Sequence, residues 1–489
     1  MIGTSLLDLA GIIISISLLR SVAPAGLLYI CLSLYTRTVL VSPWLFLVAG
    51  LEGGFYFVYL ARRSRLQKNL YNSPVLDRNQ RQALFSQCCQ QIPDVQNYPL
   101  GWFSSTRLKR ENLVEWILWA LFDCSPENAE ESWNEEIDTY VKGFEELTGM
   151  NVEDGRVALT TSLRLSLDPV KMLHRPLVWY LIVGIVDLHT CIKLRSLGFN
   201  HYSSPRFVFP PRLSTVFSKP SVTEYFSSLD RDPIVFIHGL GIGLYPYVSL
   251  IEDLIQTDPD MGIILVEIMQ ISMHMTSKPV APRLKTLDAL YSVMNSLGIS
   301  RAVLASHSYG TVITAHVLRD SRPIPKPLIT SYLLIDPVCI LLHLPNVAFN
   351  VLYREPRRAN EWQLWYFASR DADIANTLSR YFFWAENILW KDDLIWSDIV
   401  NTNNGGGYQT ARRKVAVILS GEDQIVPASE VRRYLTGEDE VKHRWSDGSM
   451  DVFYYPGLDH ATVFDTRERR KGMLEILDKF TDHKVDTCA

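Results

Sequence analysis

From Pro233 onward, short apolar runs alternate with stretches of helical apolar spacing, and this alternation constrains the fold more than any other feature of the chain. Such runs, bounded by polar or glycine-containing segments, are typical of buried parallel strands. The first three are residues 234–237, 262–267 and 302–305. Because strands that alternate with helices are joined by right-handed crossovers, we predict a parallel sheet covered by helices.

The third run leads directly into SHSYG at residues 306–310, and a helical pattern over residues 311–318 follows. A serine between a strand and a helix, with small residues two positions away on each side, is typical of a nucleophile turn. Ser306 replaces the first glycine of that pattern. The turn would present the hydroxyl of Ser308 at a helix N-terminus, where the dipole favours a developing negative charge.

A serine needs a base, and the base needs a third group to orient it. Residues 415–419 form another buried-strand pattern, and Asp423 lies just beyond its end. Residues 452–455 form a further one, and His460 lies on the loop after it. Since parallel strands end at the same edge of a sheet, we expect Ser308, Asp423 and His460 to meet there. Their order along the chain is the one that accompanies this nucleophile turn.

With these residues, the stretch from Pro233 to Phe480 resembles the α/β-hydrolase superfamily, and the resemblance covers about half of the chain. It implies an α/β fold with an eight-stranded, mostly parallel sheet and helices on both faces. It also implies a catalytic triad of Ser308, His460 and Asp423 that works through an acyl-enzyme. Serine at the turn is typical of esterases, lipases and thioesterases, whereas epoxide hydrolases and haloalkane dehalogenases carry aspartate. The arrangement is also similar to membrane-anchored hydrolases of fungi.

The resemblance gives a role to the loop after the first strand. It implies an oxyanion hole formed by the backbone N–H groups of Leu240 and Tyr309. His238, Gly239 and Gly241 would form the oxyanion loop, whose glycines let the backbone turn sharply and approach a ligand. We expect His238 to shape this loop rather than to transfer protons.

Other residues compete for the acid and base positions. Asp336 also follows an apolar run, and some members of the fold take their acid from that earlier strand, so Asp336 is the alternative acid. Asp423 is favoured because its sequence context is the closer match. His274 and His343 are rivals of His460, but neither occupies a plausible position.

Residues 1–60 contain much of the chain's apolar surplus. Residues 38–60 carry Glu52 as their one ionisable group and are long enough to cross a hydrocarbon core of roughly 30 Å. A basic cluster follows, so the positive-inside tendency places their C-terminal side in the cytosol. An upstream apolar stretch, broken by Arg20 and Pro24, is a kinked first span, an interfacial segment or a signal peptide. We predict a membrane anchor of one or two transmembrane helices and a cytosolic catalytic domain.

The remaining segments divide the chain into further parts. Residues 61–230 carry no motif with recognisable chemistry, and we predict a helical connecting region. Within it, the apolar run of residues 177–186 is too short to cross a bilayer unaided and indicates a buried or re-entrant helix. The catalytic domain is expected over residues 231–489. Its aromatic-rich insertion, residues 338–412, is implied by the resemblance to form a helical cap over the active site.

Composition excludes several classes of protein. The 48 Lys and Arg residues against 53 Asp and Glu give a net charge of −5, which is unlike the basic footprint of a nucleic-acid binder. Seven cysteines, without a CxxC pair or a Cys/His cluster, argue against a disulfide framework and a structural zinc site. We therefore expect no cofactor, no metal and no nucleic-acid partner.

These observations predict a membrane-anchored serine hydrolase that cleaves a carboxylic ester or thioester. Its partners would be a small-molecule or lipid ester and the membrane. The alternative is a catalytically silent, membrane-tethered binding or scaffold protein that retains the fold. The intact serine, acid and base favour the enzyme.

Overall fold

The computed structural model describes residues 2–68, 75–202, 215–219, 231–395, 398–402, 407–411 and 413–482. Two long helices come first, α1 (Leu6–Thr36) and α2 (Pro43–Leu66). Ser5 and Asp8 form a capping box at the start of α1, and Ser42 caps α2. The first apolar stretch, for which the sequence left three interpretations open, forms one continuous helix with Pro24 inside it.

The connecting region is mostly helical but not wholly so. Its α-helices are α3 (Arg78–Gln90), α4 (Tyr98–Trp102), α5 (Arg110–Phe122), α6 (Asn134–Thr148) and α7 (Leu177–Ser196). It ends in two strands, β1 (Asn200–Tyr202) and β2 (Thr215–Lys219), which pair antiparallel. β2 also pairs with β4 (Ile263–Glu267), so this region supplies one edge of the main sheet.

The main sheet has nine strands in the order β1-β2-β4-β3-β5-β6-β9-β11-β10. Its further strands are β3 (Ile234–Ile237), β4 (Ile263–Glu267), β5 (Arg301–His307), β6 (Leu328–Ile335), β9 (Lys414–Ser420), β10 (Arg444–Ser446) and β11 (Met450–Tyr455). The central pairs are parallel, and the pairs at both edges are antiparallel. The sheet and its covering helices form an α/β fold, as the sequence predicted. The expected number of eight strands is not matched, since the sheet has nine, and five of its eight strand pairings are parallel.

The additional edge strand arises from a hairpin that the sequence analysis did not recognise. Asp447 and Gly448 form the turn between β10 and β11. The Asp447 carboxylate accepts the N–H groups of Ser449 and Met450 at 2.8 and 2.9 Å, and Gly448 has a φ of +81°. An Asp-Gly pair is a strong hairpin signal, because the glycine adopts this conformation without steric cost.

Apolar side chains cover both faces of the sheet, as expected for central parallel strands. In β3, Val235 and Ile237 pack into one hydrophobic cluster, whereas Ile234 and Phe236 pack into another on the opposite face. The covering helices include α8 (Val248–Thr257), α9 (Arg283–Ser296) and α10 (Gly310–Leu318). The sheet therefore holds its carboxyl-end loops on a rigid base.

The insertion between β6 and β9 packs over that carboxyl edge. Its α-helices are α11 (Pro345–Ala348), α12 (Ala359–Gln363), α13 (Ala372–Arg380), α14 (Trp384–Asn387) and α15 (Lys391–Ile395). Two π-helical segments, Phe349–Tyr353 and Leu364–Ser369, extend α11 and α12. A separate hairpin of β7 (Asp398–Thr402) and β8 (Gly407–Ala411) completes its described part. After β9 come α16 (Ala428–Thr436) and, last, α17 (Arg467–Thr481).

Three helices in the described part of the chain are long and apolar enough to cross a membrane: α1, α2 and α7. The expectation for α7 needs correction, because the helix runs for 20 residues rather than ending near Val186. It is also not a buried helix. Trp179 and Val183 face the protein, whereas Leu181 and Ile185 are 62 % and 58 % exposed.

The first two helices are attached to the body of the protein at several points. Glu52, buried within α2, accepts the N–H of Leu177 at 2.9 Å, where α7 begins. At the end of α2, Arg62 forms an ion pair with Asp373 of the cap insertion at 2.6 Å. The contacts therefore link the apolar hairpin to both the connecting region and the cap.

Candidate active site

Ser308 occupies the sharp turn between β5 and α10. Its φ of +51° lies in the left-handed region, which a non-glycine residue adopts only when its surroundings enforce it. Two backbone hydrogen bonds hold the turn: Ser308 donates to the carbonyl of Ile335 at 3.0 Å, and Thr311 donates to the carbonyl of Ser308 at 2.9 Å. The side chain is thus directed by β5, β6 and the start of α10.

The turn requires small neighbours. A Cβ added to Gly310 would lie 2.5 Å from the carbonyl oxygen of Ile237, so a larger residue would displace β3. Ser306 takes the other small position and is fully buried. Its hydroxyl lies 2.7 Å from that of Thr314, and this hydrogen bond explains why serine fits in place of glycine.

The structure brings the three predicted catalytic residues into hydrogen-bonding distance. His460 Nε2 lies 2.9 Å from Ser308 Oγ, and His460 Nδ1 lies 2.6 Å from Asp423 Oδ2. The Asp423 carboxylate is further held by the N–H groups of Ile425 and Val426, at 2.7 and 2.9 Å. The imidazole is therefore oriented from one side and faces the serine with the other.

The charges around His460 favour its protonated form. Burial alone would lower the pKa of His460, but the adjacent Asp423 and the nearby Asp336 outweigh it and raise the pKa to about 9. Proton transfer from Ser308 to this nitrogen is correspondingly favourable once the imidazole is neutral.

Asp336, the alternative acid, lies in the same cluster but bonds to different groups. Its carboxylate accepts the N–H and hydroxyl of Ser420 at 2.8 and 3.0 Å, and the N–H of Ala461 at 3.0 Å. Burial, and then the neighbouring Asp423, raise the pKa of Asp336 to about 6. Through these hydrogen bonds, Asp336 connects the end of β9 to the loop that carries His460.

The two backbone groups expected to form the oxyanion hole lie beside Ser308. Leu240 and Tyr309 line the same cavity as the serine. Gly239 donates its N–H to the hydroxyl of Tyr247 at 3.0 Å, and Gly241 donates to the carbonyl of Ile271 at 3.0 Å. Among the residues that the structure describes, the N–H groups of Leu240 and Tyr309 donate to no protein group.

His238 bonds within the oxyanion loop. Its Nδ1 lies 2.6 Å from the carbonyl of Gly239, and its Nε2 accepts the N–H of Ile268 at 2.8 Å. Burial lowers the pKa of His238 to about 4, so the ring is neutral at pH 7. The two histidines considered as rivals of His460 make other contacts: His274 pairs with Asp187 at 2.7 Å, and His343 lines a separate cavity.

Sequence reasoning missed Tyr247, which supports the site from the turn just before α8. Its hydroxyl accepts from Gly239 and lies 2.8 Å from Nδ1 of His307, the residue before Ser308. The tyrosine therefore joins the oxyanion loop to the nucleophile turn. A tyrosine near the start of a helical pattern carries no sequence signal for this role.

A narrow apolar cavity of about 40 Å³ lies at Ser308. The cap supplies part of its wall, including Leu378 and Phe382. The connecting region supplies Trp102 and Trp119, which the sequence analysis did not place near the site. The lining of this cavity favours an apolar ligand.

The residues present could also hold a cation. His307, Asp336 and His460 each offer a ligand atom, and these atoms lie within 4.8 Å of one another. All three side chains are buried, and His460 already bonds Asp423 and Ser308. Both ring nitrogens of His460 are therefore already engaged by hydrogen bonds within the protein.

No protein-family model matches the sequence, and no curated protein matches it. Solved structures do match. A carboxylesterase of Nitrososphaera gargenis is 14 % identical with a TM-score of 0.35, covering 57 % of this chain and 98 % of its own. A bacterial membrane phospholipase A is 12 % identical with a TM-score of 0.38, covering 62 % and 94 %. A carboxylesterase of Bacillus subtilis is 11 % identical with a TM-score of 0.36, covering 61 % and 98 %. The fold assignment rests on the chain's own strand order and nucleophile turn.

Proposed function

We propose that this protein is a membrane-anchored serine hydrolase that cleaves carboxylic esters or thioesters with an apolar acyl group. The observation that carries the proposal is the chain of hydrogen bonds from Asp423 through His460 to Ser308, at the mouth of an apolar cavity. A serine, a base and an oriented acid in this geometry are the parts that acyl transfer requires.

In the proposed reaction, Ser308 Oγ attacks the carbonyl carbon of the ester while its proton moves to His460 Nε2. The N–H groups of Leu240 and Tyr309 stabilise the oxyanion that forms. When the bond to the leaving oxygen or sulfur breaks, His460 donates the proton to that atom. Water then attacks the acyl-enzyme, gives its proton to His460, and releases the free acid and Ser308.

Membrane attachment would come from α1 and α2. Both the first half of α1 and the second half of α2 contact the body, so these helices form a hairpin whose two ends lie on the same side. The arginines after Tyr59 favour the cytosol for that side. We therefore propose a cytosolic catalytic domain.

The surroundings of α7 argue against a third crossing. Just before the helix, Leu173 donates to the carbonyl of Arg370 in the cap. Just after it, Phe199 packs into the same core cluster as Ile234 of β3. Since both ends contact one folded body, we propose that α7 lies in the membrane interface, with its exposed apolar face toward lipid.

The silent-scaffold alternative is disfavoured by the intact hydrogen bonds of Ser308. Hydrolysis of a short 4-nitrophenyl ester by the full-length protein in detergent tests the proposal. Ser308→Ala should abolish turnover. Ser331→Ala, which removes a buried hydroxyl from β6 outside the cavity, should retain it. Equal activity of Ser308→Ala and wild type would disprove the enzyme assignment.

A further inference from the structure

A second apolar cavity, of about 40 Å³, lies within the connecting region. Helices α3, α5 and α6 form most of its wall, with Cys88, Ile117 and Phe144 as examples. Protein interiors seldom contain voids larger than a water molecule, because the lining atoms lose their packing contacts. At about 40 Å³ this cavity exceeds the roughly 10–15 Å³ that one water molecule needs, so its walls leave room for part of an apolar ligand.

The chemistry of the lining identifies the kind of occupant. Among the described residues that form the wall, no side chain carries a charge at pH 7. His343 is neutral there, because burial lowers its pKa to about 4, and the Tyr98 hydroxyl donates to the His343 carbonyl at 3.0 Å. An apolar cavity stays free of water and accepts apolar ligands.

This second cavity adjoins the cavity at Ser308. Trp102, Trp119 and Trp384 line both of them. The indole N–H of Trp119 donates to Ser166 at 3.0 Å, and that of Trp384 donates to the carbonyl of Ala120 at 2.9 Å. Two of the three rings at the junction are thus held in fixed orientations.

We propose that the second cavity receives the far end of a long acyl chain whose carbonyl group lies at Ser308. The connecting region would then determine the chain length that the enzyme prefers, and the substrate class would be esters of long-chain fatty acids. This inference rests on the proposed serine-hydrolase function. It gives a role to helices that carry no catalytic motif.

Filling the second cavity should remove the preference for long chains. Cys88 lines this cavity and not the one at Ser308, so Cys88→Phe narrows the second without touching the first. We expect kcat/KM for 4-nitrophenyl hexadecanoate to fall about tenfold or more, with the value for the butanoate unchanged. Cys124→Phe is the matched control, since Cys124 lines neither cavity, and it should leave the ratio unchanged.

A complementary variant covers the case in which Cys88→Phe does not fold. Leu147 also lines the second cavity alone, and Leu147→Ala enlarges it. We expect this variant to shift the preference toward longer acyl chains. The inference would be overturned if the ratio of kcat/KM for the hexadecanoate to that for the butanoate is unchanged in both folded variants. If Cys88→Phe fails to fold, an unchanged ratio in Leu147→Ala alone would overturn it. Wild-type butanoate hydrolysis that depends on Ser308 would still stand in that case, so failure of the inference is distinguishable from failure of the proposed function.

Discussion

His460 Nε2 lies 2.9 Å from Ser308 Oγ, although the two residues are 152 positions apart in the chain. Each is positioned by a separate element: Ser308 by the β5–α10 turn, and His460 by the loop after β11. The sheet joins these elements, because β5 and β11 both belong to its parallel centre. The proposed nucleophile and base therefore meet through the fold and not through local sequence.

The first prediction concerns His460. His460→Ala should lower kcat/KM by about 10⁴-fold or more, because among the described residues only His460 is within hydrogen-bonding distance to take the proton from Ser308 Oγ. The double variant with Ser308→Ala should be no worse than either single variant, since the two residues act as a unit. Additive losses would contradict the shared proton transfer.

The second prediction uses the pH dependence of kcat/KM. His460 must be neutral to accept a proton, and its pKa is raised to about 9, so activity should rise with pH through a limb near that value. Asp336→Asn removes a carboxylate that raises the pKa, and the limb should move to lower pH while turnover persists.

The matched variant separates the two candidate acids. Asp423→Asn removes the partner of His460 Nδ1 and should lower kcat by about 10⁴-fold. If Asp336→Asn instead abolishes turnover while Asp423→Asn retains it, the catalytic acid is Asp336.

The third prediction tests the steric limit at the nucleophile turn. Gly310→Ala would place a methyl group against the carbonyl of Ile237, and such overpacking costs about 1–3 kcal/mol. The thermal unfolding temperature in detergent should fall, together with activity. Gly457→Ala is the control, because a Cβ there meets nothing within 4 Å, and it should unfold like wild type.

The fourth prediction concerns the link between anchor and cap. Arg62 and Asp373 are both about nine-tenths buried, so Arg62→Ala should destabilise the protein by about 3 kcal/mol by leaving the carboxylate without its cation. Asp373→Asn in that background should recover part of the loss. Thermal unfolding of the two single variants and the double variant gives the coupling, and a coupling of zero would mean that the ion pair does not stabilise the fold.

The sequence predicted the centre of the fold because its signals are local. The buried runs of β3 and β5 and the SHSYG turn each appear within a few residues. The order of Ser308, Asp423 and His460 along the chain then reduced the number of sheet topologies that could bring them together. The strands β1 and β10 were missed because each has only three residues, although Asp447-Gly448 was a usable hairpin signal. β2 was missed because its residues, TVFSK, form no apolar run.

The residues that line the cavity at Ser308 could not be predicted from the sequence, for a different reason. Trp102 and Trp119 belong to helices whose apolar spacing indicates only that they pack against something. Which surface they cover depends on long-range packing, here against the cap residue Trp384. The choice between Asp423 and Asp336 likewise depends on distances to His460 that spacing along the chain does not determine.

Covalent labelling of Ser308 tests the central claim most directly. Full-length protein in detergent is treated with a fluorophosphonate probe, and the modified residue is identified by peptide mass spectrometry. The account predicts one modified site, Ser308, with labelling lost in Ser308→Ala, strongly reduced in His460→Ala and retained in Ser331→Ala. The account would be contradicted if correctly folded wild-type protein takes up no label, or if labelling persists in Ser308→Ala.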